Sequence, residues 1–289
     1  MFEAISLFAW LGMVGTAGPP TVDPLTQPIA ASRAAEWLAP AAPEKIHGTT
    51  YLVGFGGLSV ALIDTGAGLV LVDGALPQAA PAILANVRKL GFDPADIKFI
   101  LSTEPHFDHA GGLAALARDT GATVVASARG AEGLLAGRHA ADDPQLAYGG
   151  SWPAVARLRV MKDGEVLRLG RTAITAHATP GHTMGSMSWS WQACESKACK
   201  TIVFASSLNP VSADDYRYTS AAGAPVVAGF EQSYRTMDAL ACDILISAHP
   251  DNAGAGRYSN KPGACRAYAD RSRGLLAARL AKERAGQEK

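Results

Sequence analysis

The segment that most narrows the fold is the apolar run Ile97–Leu101 together with its continuation, Ser102-Thr103-Glu104-Pro105-His106-Phe107-Asp108-His109-Ala110-Gly111-Gly112. The apolar run reads as a strand. It breaks into a polar loop in which Glu104, His106, Asp108 and His109 fall within six residues, and a helical pattern on Leu113, Leu116 and Ala117 comes next. A loop at the carboxyl end of a strand is where an open α/β sheet gathers its ligands. Pro105 and Phe107 alternate with the ligating residue types and turn away from them. Asp108 and His109 are neighbours and must diverge, which suits two adjacent ions better than one. The glycine pair lets the backbone pass close to such a site and opens the helix.

Strands and helices alternate along the rest of the chain. Residues 50–53, 59–64 and 68–73 read as strands joined by tight turns. The run Leu69-Val70-Leu71-Val72 is nearly continuous, as in a strand covered on both faces. Residues 78–90 take a helical period, with Ile83, Val87 and Leu90 on one face and Gly91 as the stop. Residues 124–126 form the next strand, so the order predicts an α/β fold with right-handed crossovers. Residues 137–157 read as a long irregular segment, in which Tyr148 and Trp152 either wall a cleft or simply pack. Asp163-Gly164 predicts a hairpin between 159–161 and 165–167. Strands over 174–178, 186–191, 201–204 and 243–247, a helix over about 230–240 and a tail helix from about Ala264 complete a second half. The two halves meet near residue 160.

Two distant histidines complete the donor set. His182 lies in Thr179-Pro180-Gly181-His182-Thr183, and His249 in Ala248-His249-Pro250, each where a strand runs out. Six nitrogen or oxygen donors with no thiolate suit zinc, with manganese or iron as weaker candidates. His47, His139 and His177 are left over, and His177, inside a strand, reads as a packed residue. The Gly-x-Ser-x-Gly pattern of serine hydrolases is absent.

Lysine plus arginine and aspartate plus glutamate both total 26, so the formal net charge is zero, which argues against nucleic acid as the main partner. Residues 1–18 join an apolar stretch to small residues and predict a secretory signal cleaved near Ala17. No basic residue precedes the apolar run and Glu3 stands there instead, so a short arm packed on the domain is the other reading. The run is too short for a membrane span. Cys194 and Cys199 look like a turn closed by a local disulfide, and Cys242 and Cys265, flanking His249, can form a second bridge. With a signal, paired cysteines place the chain in the periplasm or outside the cell. Four reduced cysteines in a cytosolic enzyme are the alternative.

The constellation resembles the metallo-β-lactamase superfamily, and more closely its third (B3) subclass, over about residues 32–280. Trp37-Leu38-Ala39-Pro40 is similar to that subclass's opening segment, and Leu71-Val72-Asp73-Gly74-Ala75-Leu76-Pro77-Gln78 to its second motif. Ala241-Cys242-Asp243-Ile244-Leu245 with Cys265-Arg266-Ala267-Tyr268-Ala269-Asp270 is similar to its disulfide-bridged end. The resemblance implies one domain over 32–289, an αβ/βα sandwich of two mixed sheets covered by outer helices. It implies zinc-dependent hydrolysis of the amide bond of a small β-lactam by a metal-bound hydroxide, in a monomer with no nucleic-acid or membrane partner. Carried over, Glu104, His106 and His182 hold the first zinc. Asp108, His109 and His249 hold the second, and Asp108 also orients the hydroxide. Two ions are expected, with single occupancy left open. Ser207 and Asn209 match positions that line the substrate pocket and bind a carboxylate. Glu104 is the departure, because the family's first ligand is histidine; a carboxylate leaves the first ion less positive and less able to acidify its water. Ser206 stands near the position where many non-lactamase relatives carry a bridging aspartate, which is unfavourable for thioesterase and nuclease readings. Another zinc hydrolase of the superfamily, such as a lactonase or thioesterase, and a non-catalytic metal-binding protein are the alternatives.

Overall fold

The computed structural model describes residues 22–254 and 256–287. The expected signal at 1–18 lies outside them. A short helix, α1 (Ala34–Trp37), precedes four strands in antiparallel succession: β1 (Glu44–His47), β2 (Thr50–Leu52), β3 (Ala61–Asp64) and β4 (Leu69–Val72). Helix α2 (Ala80–Lys89) crosses over to β5 (Ile97–Leu101), parallel to β4. A single helical turn, α3 (Phe107–Ala110), then α4 (Leu113–Thr120), leads to β6 (Thr123–Ala126), and α5 (Ala128–Ala136) with a long connection leads to β7 (Leu158–Val160). These seven strands form one sheet in chain order, antiparallel in its first half and parallel in its second. The second sheet takes β8 (Val166–Leu169), β9 (Thr172–Ala178), β10 (Met187–Glu195) and β11 (Ala198–Ala205) as an antiparallel meander. Helix α6 (Ala224–Ala239) returns to β12 (Ile244–Ser247), parallel to β11 at the sheet edge, and α7 (Ala264–Gln287) closes the chain. The result is an αβ/βα sandwich of two mixed sheets with helices outside.

Alternation along the strands explains the layering. On β4, Val70 and Val72 face the second sheet, where they meet Trp189, Phe204 and Ile246. Leu69 and Leu71 face outward against Ile83 and Val87 of α2 and Leu116 of α4. All four are buried, as the unbroken apolar run predicts. On the other side, Val203 and Leu245 pack on Phe230, Tyr234 and Tyr268 of α6 and α7. Each such side chain contributes roughly 1.5–3 kcal/mol by leaving water. Trp189 spans the two sheets, and its Nε1–H donates to the Ser102 carbonyl (3.2 Å), fixing the end of β5. No helix among the described residues is long and apolar enough to cross a membrane.

Two expectations change. Residues 159–167 are not a hairpin. β7 pairs with β6 and β8 pairs with β9, so the Asp163-Gly164 turn carries the chain from one sheet to the other. The turn is held by β9 rather than by β7: Asp163 Oδ1 accepts from the Ala178 N–H and the Gly164 N–H donates to Ala176 O. Helix α5 was not expected. Both expected cysteine pairs are bonded. Cys194 and Cys199 face each other across the β10–β11 hairpin, and Cys242, just before β12, joins Cys265 in α7.

Candidate metal centre

Four strand ends deliver the site. Thr103 to His109 follow β5, His182 follows β9, Ser206 to Asn209 follow β11, and His249 follows β12. All lie on one rim of the sandwich, where His106, Asp108, His182, Asn209 and His249 line a cleft of about 640 Å³ with Trp37, Phe107, Tyr148 and Val211 as apolar walls.

The first structural support is Asp73, at the end of β4. It is fully buried in the left-handed region (φ 68°). Its carboxylate accepts from the Thr103 N–H (2.9 Å), from the Thr103 hydroxyl and from His109 Nδ1 (3.0 Å). These bonds pin the start of the ligand loop and commit His109 to donating from Nδ1, which leaves Nε2 free to ligate. His182 is fixed in the same sense, because its Nδ1 donates to the Asn209 carbonyl (2.8 Å). His106 is the reverse: its Nε2 donates to Asp143 (2.8 Å), so Nδ1 is left for a ligand role. Gly181 allows the turn into His182. Its φ is +131°, and a Cβ there would stand 2.5 Å from the Phe230 ring.

The free donor atoms converge in two groups, Glu104–His106–His182 and Asp108–His109–His249, each with atoms within 4.8 Å of one another. In the second group, His109 Nε2 is 3.1 Å from His249 Nε2 and 3.5 Å from Asp108 Oδ2, and His249 Nε2 is 3.3 Å from Asp108 Oδ2. A tetrahedral dication with bonds of about 2.0–2.1 Å separates its ligands by about 3.3 Å, so these edges have the length a metal requires. Two ring nitrogens this close share either a proton or a metal ion, and a metal takes the place of the proton on His109. Glu104 fits a metal equally well. Its Oε2 accepts from the Ser207 N–H (2.9 Å). Its Oε1 is buried with no hydrogen-bond partner, 3.7 Å from His182 Nε2 and 3.1 Å from His109 Nε2. An orphaned carboxylate oxygen among imidazoles is a costly feature that a bound cation removes.

Charge is concentrated accordingly. Burial opposes ionisation of Glu104, but the rings of His109, His182 and His106 outweigh it and hold the carboxyl below its ordinary range. Burial likewise disfavours charge on Asp108, and His109, His249 and His106 reverse that, holding it well below the usual carboxylate range. Burial lowers the basicity of His109, yet the carboxylates of Asp108, Glu104 and Asp73 raise it to about 10. His182 stays below its ordinary value, mainly through burial.

The structure thus brings all six expected donors together. Asn209 lines the cleft, whereas Ser207 lies beneath it, 1% exposed, with its Oγ unpartnered. Ser206 is turned away into a buried hydroxyl network with Thr179 and Ser188. His177 bonds Ser190 on its sheet and His47 lies against Ala198 O. Of the two aromatics, Tyr148 lines the cleft, its hydroxyl donating to Ser212 O, and Trp152 is core. Sequence reasoning missed Asp143 and Gln145, which approach His106 and His182. The His139-x-x-x-Asp143 spacing inside the irregular segment was the only signal for them.

The family model described as the metallo-β-lactamase superfamily matches residues 53–190. A solved structure described as the first B3 metallo-β-lactamase with an active-site glutamic acid is 79% identical, covers 91% of this chain and 98% of its own, and superposes with a TM-score of 0.90. The Rm3 metallo-β-lactamase is 40% identical, with 89% and 100% coverage and a TM-score of 0.84. Among curated proteins, a hydroxyacylglutathione hydrolase of Anaeromyxobacter dehalogenans is 35% identical over 45% of this chain, and the match spans 41% of that protein's length. The chain therefore belongs to the metallo-β-lactamase superfamily. Within it the chain is B3-like, with a glutamate in the active site.

Proposed function

We propose that the chain hydrolyses the amide bond of β-lactam antibiotics with two zinc ions. The observation that carries this is the whole-length likeness to a B3 metallo-β-lactamase that also bears an active-site glutamate, together with two converging donor groups in this chain. Glu104, His106 and His182 would hold the first zinc, and Asp108, His109 and His249 the second. Nitrogen and carboxylate donors without thiolate suit that metal. When bound, zinc supplies a water of lowered pKa and a Lewis acid for the carbonyl oxygen. Asp108 holds its negative charge at the cleft floor, where it orients the attacking water's proton. Asn209 offers its amide to a substrate carboxylate, with Ser207 behind it. Trp37, Phe107, Tyr148 and Val211 exclude water from the cleft and meet the apolar parts of the substrate.

The serine at position 206 supports a lactamase over a thioesterase or lactonase. Its hydroxyl is 2.8 Å from Thr179 Oγ1, so neither its chemistry nor its direction supplies a bridging carboxylate. The two disulfides support export to the periplasm or beyond. Zinc-loaded protein is expected to open penicillins, cephalosporins or carbapenems, to lose that activity on chelation and to leave thioesters and lactones intact. Turnover of a thioester or lactone with no β-lactam turnover refutes it.

A further inference from the structure

Behind the cleft lies a second cluster, formed by His106, His139 and Asp143, all buried. Asp143 Oδ2 accepts from His106 Nε2 (2.8 Å) and faces His139 Nδ1 (3.3 Å), while Oδ1 accepts from the Gln145 N–H (2.8 Å). A buried carboxylate is expensive unless donors surround it. Here the donors are two imidazoles and a main-chain amide, with no lysine or arginine among them. A neutral imidazole carries one proton. With that proton held on Nε2 by Asp143, the Nδ1 lone pair of His106 is the one left to face Glu104 and His182. Without the carboxylate the ring has a second tautomer and a second flip state, and in either its lone pair leaves the site. The same carboxylate fixes the Gln145 main chain, and the Gln145 side-chain amide, 3.1 Å from His182 Nε2, covers that lone pair until a metal takes it. His139 packs edge-on against Trp152, with ring centroids 5.4 Å apart, and seals the cluster from the core side.

We propose that Asp143 is the positioning residue of the first metal site. It sets the tautomer of His106 and, through the Gln145 main chain, the loop that meets His182. This rests on the assignment of Glu104, His106 and His182 to one ion. It is a different role from that of Asp73, which acts on His109 in the other group.

The test compares wild type with Asp143→Asn, which keeps an acceptor oxygen but loses the charge, and Asp143→Ala, which loses both. In zinc-loaded wild type, proton–nitrogen NMR of the histidine rings is expected to show a downfield, slowly exchanging Nε2 proton on His106. In Asp143→Asn that proton persists at higher field, and in Asp143→Ala it exchanges away. Competition with a chromophoric chelator is expected to show one zinc-binding step weakened by about 10–100-fold in Asp143→Ala, less in Asp143→Asn, and the other step within about twofold of wild type. The proposal is overturned if both variants bind two zinc ions as wild type does and leave the His106 proton unmoved. It is also overturned if wild type takes up a third zinc that Asp143→Ala lacks, because the cluster is then itself a metal site. Wild type that binds no zinc overturns the metal centre as a whole, a result distinct from the other two.

Discussion

Replacing Glu104 by glutamine isolates the charge of the unusual ligand. The amide has the carboxylate's shape, and its oxygen can still accept the Ser207 N–H that now meets Oε2 at 2.9 Å, so the fold keeps that bond. What is lost is the anionic oxygen that stands 3.1 Å from His109 Nε2 and 3.7 Å from His182 Nε2 with no hydrogen bond of its own. Opposite unit charges about 4 Å apart attract by about 4 kcal/mol at an effective dielectric of about 20. Taking about 3 kcal/mol of this as the net loss at the first site corresponds to roughly 100-fold weaker zinc there. Glu104→His restores a ligating atom but not the second bond. An imidazole that ligates through Nε2 turns its Nδ1–H toward the Ser207 N–H, donor against donor, at a cost of about 1–3 kcal/mol. Stepwise zinc titration against a chromophoric chelator, with thermal melting of the metal-free proteins, separates the two effects. The expected result is a stable, zinc-poor Glu104→Gln and a less stable Glu104→His. Wild-type zinc affinity in Glu104→Gln, with Glu104→His melting no lower than wild type, refutes the reasoning.

The remaining predictions concern protons and backbone. With its pKa raised to about 10, His109 is protonated in the metal-free protein at neutral pH, and zinc must displace that proton. Apparent affinity at the second site is therefore expected to rise about tenfold per pH unit up to that value; a flat profile contradicts it. Gly181→Ala places a Cβ 2.5 Å from the Phe230 ring at a φ of +131°, which is expected to cost about 1–3 kcal/mol and to weaken first-site zinc by moving His182. Melting and the same titration check it. Tyr268→Phe removes the hydroxyl that accepts the Leu208 N–H (3.0 Å) and donates to Ser206 O (3.2 Å). It is expected to lower unfolding stability by about 1–3 kcal/mol in denaturant titration, with an unchanged midpoint as the contrary result.

Six donors were legible in the sequence because each sits just past an apolar strand, and strand ends are where such folds place ligands. What stayed hidden was non-local or locally contradictory. Asp143 is 37 residues from the ring it holds, and no periodicity links them. Helix α5 carries Gly130 and Gly133, which lower helix propensity. The structure needs them, because Cβ atoms there would crowd Gly185 O (3.1 Å) and Pro105 Cβ (2.7 Å). Gly133 lets the helix lie against the ligand loop itself. Asp163-Gly164 marked a true turn, but turn chemistry is the same whether the next strand pairs back or joins the opposite sheet. The difference lies in non-local pairing, β7 with β6 and β8 with β9, which leaves Met161 buried between the sheets.

Anomalous scattering at the zinc edge from crystals of the zinc-loaded protein tests the central claim most directly. Two peaks are expected, one touched by Glu104, His106 and His182 and the other by Asp108, His109 and His249. No peak among these six side chains, or a first ion from which Glu104 stands apart, contradicts the account.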